Sequence, residues 1–281
     1  MEERPASGLV RRSELSGEER AALEELLARC NAHDGLELPI DFDRGLDPKP
    51  PWLLAFAGNQ LAGAALLTHY GELEAWLVVD PAWRRRGVGR RLLDAVREVI
   101  EGQFLLVCDA SSTGGVAFLR AVGAVYRFSE HRMQFQPELP RATPSGRVRV
   151  RSAVSEDAPT LKRVTAAAFG DAREEVGRLI DTRLGDPRQR WFITELESQP
   201  IGAIRAQVLD RSAYLATFGI IPTQQRQGYG RDTLALTVAT LLADGIESIF
   251  LEVETENHNA LGLYESCGFR TTRTYQYHAV G

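Results

Sequence analysis

The sequence predicts an α/β chain of two similar modules in tandem, each a β-sheet flanked by helices. Three observations predict it. The chain has 281 residues, which suits two compact domains of about 140 each. From Gln136 to Gly146 it carries three prolines and no apolar period, as an extended linker does. On either side of that linker the same order recurs: an apolar run, a proline, a turn rich in Arg or Gln, two glycines and a helix.

The elements follow in order. In the first half, Trp76 to Val79 is an apolar run that ends at Pro81, the turn is Arg84 to Gly89, and Arg91 to Ile100 has helical apolar spacing. A strand at Phe104 to Cys108 and a helix ending at Gly123 complete it. After the linker, Arg147 to Arg151 alternates Arg and Val as a strand does. Ser155 to Pro159 reads as the cap and first turn of a helix through Leu161, Val164 and Phe169. Then come Phe218 to Pro222, the turn Gln225 to Gly230, a helix at Leu234 to Leu242, a strand at Ile249 to Val253 and a helix ending at Gly268. Pro81 and Pro222, Gly87 and Gly228, and Gly89 and Gly230 each stand 141 residues apart, whereas Gly123 and Gly268 stand 145 apart. The expected division is therefore a first module at 1–136, a linker at 137–146 and a second module at 147–281.

Composition excludes several classes. With 44% hydrophobic and 25% charged residues and no apolar run near 20 residues, the chain is expected to be soluble, with no membrane partner. Met1 to Arg12 has no apolar signal segment, so a cytoplasmic location is expected. Cys30, Cys108 and Cys267 are widely spaced and odd in number, which predicts buried thiols and neither a disulfide framework nor a metal site. A net charge of −5 argues against a nucleic-acid partner, and the basic run at Arg84, Arg85, Arg86, Arg90 and Arg91 has only Trp83 among it. Phosphates of a small cofactor account for that run more economically.

Gln225-x-x-Gly228-x-Gly230 stands where a strand hands over to a helix. First-turn N–H groups there lack intrahelical partners and carry the positive end of the helix dipole. Glycines let the chain turn tightly and let an oxygen approach without a Cβ in the way. The expected ligand is an anionic cofactor.

Placed after Ile220-Ile221-Pro222 and followed by Asn257-x-x-Ala260-x-x-Leu263-Tyr264-Glu265-x-x-Gly268-Phe269, this pattern resembles the GNAT superfamily of N-acetyltransferases. The resemblance implies two tandem folds, each a mixed β-sheet splayed into a V, with acetyl-CoA as the cofactor and direct acetyl transfer in a ternary complex to a primary amine of a small molecule. By the same resemblance, amides around Arg226, Gln227, Gly228, Tyr229, Gly230 and Arg231 hold the diphosphate, with Gln225 in the turn. Main-chain groups of Phe218, Gly219, Ile220 and Ile221 pair with the pantetheine arm, and the amide of Ile220 or Ile221 polarises the acyl carbonyl. Asn257 contacts the arm, and Tyr264 is the general acid. No base is evident, since Leu215, Ala216 and Thr217 cannot serve. Glu252 and Glu254, on one face by period two, remain as base directly or through water. His258, a single histidine without a visible partner, reads as a surface residue.

The first half departs from the pattern. Aligned on its glycines it has Ser112 opposite Asn257, Leu119 opposite Tyr264 and Ala124 opposite Phe269, although Glu74 stands on the strand before its turn. Val78, Val79, Arg84, Arg85, Arg86, Gly87, Val88, Gly89 and Arg90 are its cofactor-binding candidates. Two readings stand: binding without turnover, or scaffold. Acceptor specificity is expected in Leu36 to Pro51, where Asp41, Asp43 and Asp47 form an acidic group, and in Phe169 to Trp191. A monomer with two pseudo-symmetric modules and a homodimer are both compatible with the sequence. The competing functions are a non-catalytic acyl-CoA sensor and a protein N-acetyltransferase.

Overall fold

The computed structural model describes residues 7–38, 51–70, 72–140, 143–169 and 173–281. Asp41, Asp43 and Asp47 lie outside the described residues. The chain divides into two compact units, Met1–Ser129 with Thr274–Gly281, and Glu130–Arg273. By these contacts the last eight residues group with the first half, and Glu130 to Gln136 group with the second, so each half is completed by chain from beyond the linker.

The first unit contains β1 (Ser7–Arg12), α1 (Gly17–Asp34), β2 (Trp52–Ala57), β3 (Gln60–Tyr70), β4 (Glu72–Val79), α2 (Val88–Val99), β5 (Phe104–Asp109) and α3 (Thr113–Ala121). Its strands pair in chain order, antiparallel except for parallel β4 and β5, and Tyr275 to Val280 then pairs antiparallel with β5. Alternation sends neighbouring residues to opposite faces. Leu54, Trp76, Val107 and Tyr275 pack with Leu23 and Leu26 of α1, whereas Leu53, Ala65 and Leu106 pack with Leu92 and Leu93 of α2. α1 is started by a reciprocal cap between Ser16 and Glu19 and ended by Gly35 in the left-handed region.

The second unit repeats this plan with β7 (Val148–Ser152), α4 (Ala158–Phe169), α5 (Arg173–Arg183), β8 (Gln189–Leu196), β9 (Gln199–Leu209), β10 (Ser212–Ile220), α6 (Tyr229–Ala243), β11 (Ser248–Glu254) and α7 (His258–Ser266). β10 and β11 are its parallel pair, and the Glu130 to Gln134 part of β6 (Val125–Phe135) runs antiparallel to β11. β12 (Phe269–Val280) starts in this unit and ends in the first. Ile204, Leu215 and Leu251 pack under Leu234 and Val238 of α6, and Trp191, Ile193 and Ala203 pack under Leu161 of α4 and Ile180 of α5. The cap expected at Ser155 is a single tight turn before α4. Asp157 holds it by accepting from the Val154 N–H at 2.9 Å and from both Nη atoms of Arg151 at 2.6 and 2.8 Å.

Candidate active site in the second unit

β10 and β11 pair with each other only from Ser212 to Leu215 and Ser248 to Leu251; beyond that β10 runs on to Ile220 beside β9 and β11 to Glu254 beside β6, no longer paired to one another. A cavity of about 330 Å³ opens where they part. Its walls include Leu215, Ala216, Thr217 and Phe218 from β10, Glu252 and Glu254 from β11, and Asn257 and Tyr264 from α7 and its start.

On its other side β10 bulges. The register with β9 steps from Ala216↔Arg205 to Gly219↔Ala203, leaving Thr217 and Phe218 out of the ladder. Thr217 has φ +48°, a region a β-branched residue rarely adopts, so the main chain is held in a costly conformation at the cavity wall. The Ile221 N–H donates to Ile201 O at 2.8 Å. That bond removes Ile221 as a carbonyl polariser. The amide of Ile220 faces the opposite way by period two. Its carbonyl accepts from Gln225 Nε2 at 2.9 Å, so Gln225 props the strand end and its side chain is not directed to a phosphate.

The turn between β10 and α6 has Arg226 at φ +60° and Gly228 at φ +87°, and α6 begins with no side-chain cap. A Cβ on Gly230 would stand 3.1 Å from Leu263 Cδ1, a tight contact, so glycine eases the close approach of α6 to α7. Arg231 turns away to Ser266 Oγ at 3.0 Å, and Gln227 Nε2 reaches Gln224 Oε1 at 3.1 Å. Tyr229 is buried. Uncapped N–H groups on a helix of 15 residues behind a left-handed glycine fit a diphosphate.

Tyr264 sits with its ring 6.4 Å from Phe218 and 6.3 Å from Phe269. Burial, with a smaller contribution from Cys267, pushes its hydroxyl up to about 12. Among the described residues that hydroxyl makes no hydrogen bond. Glu252 accepts from the Tyr214 hydroxyl at 3.0 Å, and Glu254 is exposed at the rim. Asn257 Oδ1 accepts from the Ala260 N–H at 3.2 Å, so that oxygen caps α7 and only its amide NH2 can turn to a ligand. The structure also brings in Phe169, the first residue of a segment expected to carry acceptor specificity, and Glu130, which the sequence does not mark for the site. Glu130 comes from a strand in the first half of the sequence, opposite Glu254 in register, and no local signal marked it. Gly219 admits Phe169, since a Cβ there would stand 2.7 Å from Ala168 Cβ.

The first unit repeats the turn but not the cavity wall. Arg85 has φ +62° and Gly87 φ +83°, and α2 likewise has no side-chain cap at Val88. Arg84 Nε donates to Val79 O at 3.0 Å, as Gln225 does to Ile220 O, while its Nη atoms grip Asp34 at 2.7 and 2.6 Å. The fork of Arg84 holds the Asp34 carboxyl below the usual carboxylate range. Arg86 lies over the Trp83 ring at 5.2 Å, Arg90 is exposed, and Gly89 faces Phe118. Val78 is buried in the core, and Leu119, opposite Tyr264 in the repeat, is buried too. β3 and β4 pair from Gly63↔Val79 to Leu66↔Trp76 without a bulge.

Fold and cleft together define a class, an acyltransferase built on a splayed mixed sheet. A family model described as the acetyltransferase (GNAT) family matches residues 20–124 and again residues 155–269. The chain belongs to that family and contains its domain twice. Mycothiol acetyltransferase of Clavibacter michiganensis subsp. michiganensis is 29% identical over 290 residues, covering 95% of this chain and 93% of its own. The protein of the same name from Clavibacter sepedonicus is 30% identical over 270 residues, covering 90% and 86%. Among solved structures, a GCN5-related N-acetyltransferase from Sphaerobacter thermophilus superposes with a TM-score of 0.79 at 20% identity, covering 97% of this chain and 95% of that one. A tandem GNAT protein from the clavulanic acid biosynthesis pathway gives 0.72 at 16% identity, with 98% of each chain covered. At these identities the solved structures bear on the fold alone. No described helix is long and apolar enough to cross a membrane, and among the described residues no three His, Cys, Asp or Glu side chains gather as a metal site would need.

Proposed function

We propose that the second unit transfers an acetyl group from acetyl-CoA to a primary amine of a small molecule, in a ternary complex, and that the first unit is scaffold. The observation that carries this is the bulge at Thr217, which lines, together with Tyr264, a cavity that also has carboxylates on its wall. When bound, acetyl-CoA supplies an acyl group on a good leaving thiolate.

The turn from Arg226 to Arg231 holds the diphosphate through main-chain N–H groups, and the edge of Phe218 to Ile220 that faces away from β9, where the Ile220 carbonyl already accepts from Gln225, receives the pantetheine arm. The amide of Ile220 points away from β9 and stabilises negative charge on the acyl oxygen. Tyr264 Oη donates to the sulfur. A phenol near 12 is a weaker acid than a thiol near 8.5, so full proton transfer is uphill; its contribution is a hydrogen bond that strengthens as charge develops on sulfur. Glu252, Glu254 and Glu130 receive an ammonium and draw its proton, directly or through water. The name of the relatives, mycothiol acetyltransferase, supports a small molecule as acceptor over a protein.

Thiol release from acetyl-CoA across a panel of small amines tests the proposal. Turnover with at least one amine, lost in Tyr264→Phe, is the expected result. Binding of acetyl-CoA with no amine accepted would point to a sensor instead.

A further inference from the structure

The segment that leads into β7 lies across the turn that opens α6. Arg147 Nη2 donates to the Gln227 carbonyl, and the same atom stands 3.3 Å from where a Cβ on Gly228 would be. Its guanidinium carbon lies 4.8 Å from the centre of the Tyr229 ring, the first residue of α6. Arg147 Nε is steered by Ser145 Oγ at 3.1 Å. Ser145 in turn donates through its N–H, at 3.0 Å, and its hydroxyl to Asp232, the acidic residue of the first helical turn. The placement is thus built from three directions.

It is also electrostatically odd. A helix N-terminus carries positive potential, so a cation parked beside uncapped first-turn N–H groups is disfavoured unless an anion sits between them. Asp232, the carboxylate of that first turn, accepts from Ser145 and, among the described residues, forms no ion pair with Arg147, whose Nη2 faces the main chain of the turn instead. Arg147 remains exposed and keeps donors beyond the two in use. One residue before β1, where the first unit would have its counterpart, the sequence has Ala6.

We propose that Arg147 is a phosphate contact of the second unit, closing over the α6 turn to pair with a phosphate of the cofactor and so adding selectivity for CoA thioesters over phosphate-free ones. This rests on the acetyl-CoA reading above. A charge-assisted hydrogen bond to phosphate at a half-open site corresponds to about tenfold in affinity.

The test is binding to the full-length protein, with acetyl-CoA by calorimetry and with S-acetylpantetheine, which has no phosphate, by NMR shift titration. Arg147→Gln keeps a donor for the Gln227 carbonyl while removing the charge, and Arg147→Lys keeps the charge. The expected result is that Arg147→Gln weakens acetyl-CoA about tenfold, leaves S-acetylpantetheine unchanged, and narrows its gap from wild type in 1 M salt, while Arg147→Lys retains most of the affinity. Equal acetyl-CoA affinity in Arg147→Gln and wild type overturns the assignment. So does an equal loss for both ligands, which would mark a purely structural role. If wild type itself does not bind acetyl-CoA, the acetyl-CoA reading falls and this inference with it.

Discussion

Trp76 in the first unit holds the strand position that Ala216 holds in the second. Counted from the matching pairs Gly63↔Val79 and Gly202↔Ile220, Leu66↔Trp76 is three residues along each strand, whereas Arg205↔Ala216 is three along β9 and four along β10. The extra residue is the bulge. Trp76 is buried and packs edge-on against Tyr275 at 5.3 Å, filling the first unit's core at the place where Ala216 lines a cavity. Parallel pairing also runs one step deeper in the first unit, to Trp76↔Val107, than in the second, to Leu215↔Leu251.

Exchanging these residues should separate binding from folding. Ala216→Trp is expected to abolish acetyl-CoA binding, measured by calorimetry, while the protein still unfolds cooperatively. Trp76→Ala should destabilise the first unit by about 3–5 kcal/mol in denaturant titrations without creating a second binding site, because β4 lacks the bulge. Appearance of a second site would show that bulk alone closes the first unit.

Tyr264→Phe is expected to lower kcat about a hundredfold and to change KM for acetyl-CoA little, since the hydroxyl acts on charge that develops at sulfur. Because burial pushes this group to about 12, it stays protonated through the alkaline range. The wild-type pH profile should therefore show no falling limb near pH 10, the ordinary tyrosine value. A limb there that vanishes in Tyr264→Phe would mean the phenol is not shielded.

Asp34 supports the first unit through the bidentate grip of Arg84. Asp34→Asn should reduce stability by about 1–2 kcal/mol at neutral pH and leave turnover in the second unit unchanged. The folded protein holds this carboxyl below its unfolded value, so its contribution is complete above about pH 4, the ordinary aspartate value, and is lost as pH falls through the lowered folded value. Wild type and Asp34→Asn should accordingly converge in stability on acidification. A gap that stays constant to pH 2 contradicts the ion pair.

Deleting Thr274 to Gly281 removes the strand beside β5 and takes Tyr275, Tyr277, Ala279 and Val280 out of the first unit's core. Hydrogen exchange should show β4 and β5 losing protection while β8, β9 and β10 keep theirs. Loss confined to the second unit would contradict the assignment of these residues to the first.

Much of this was legible in the sequence because repeats and glycine turns are local. The offset of 141 between Gly87 and Gly228 corresponds to backbone angles that agree within a few degrees, φ +83° and +87°, and Arg85 and Arg226 agree likewise at +62° and +60°. The helix after each turn and the strand before it fall where apolar spacing places them. What was not legible depends on pairing between distant segments. The bulge at Thr217 leaves no mark in a run of apolar residues, and it appears only when β9 is laid beside β10. Arg84 looked like a phosphate ligand because its partner, Asp34, lies 50 residues away at the end of α1. Glu130 reaches the cavity only because the strand that closes the second unit is drawn from before the linker. Gly63 and Gly202 were likewise silent, although a Cβ on either would press on a carbonyl of the facing strand, at 2.9 Å from Val78 O and 2.7 Å from Gly219 O.

In the function proposed above, one of the two look-alike turns serves a working acyl site and the other does not. Isothermal titration of acetyl-CoA into the intact chain, read for stoichiometry, tests it most directly. One molecule bound per chain, abolished by Ala216→Trp, is the predicted result; two molecules per chain, or a single site that survives that substitution, would contradict the account.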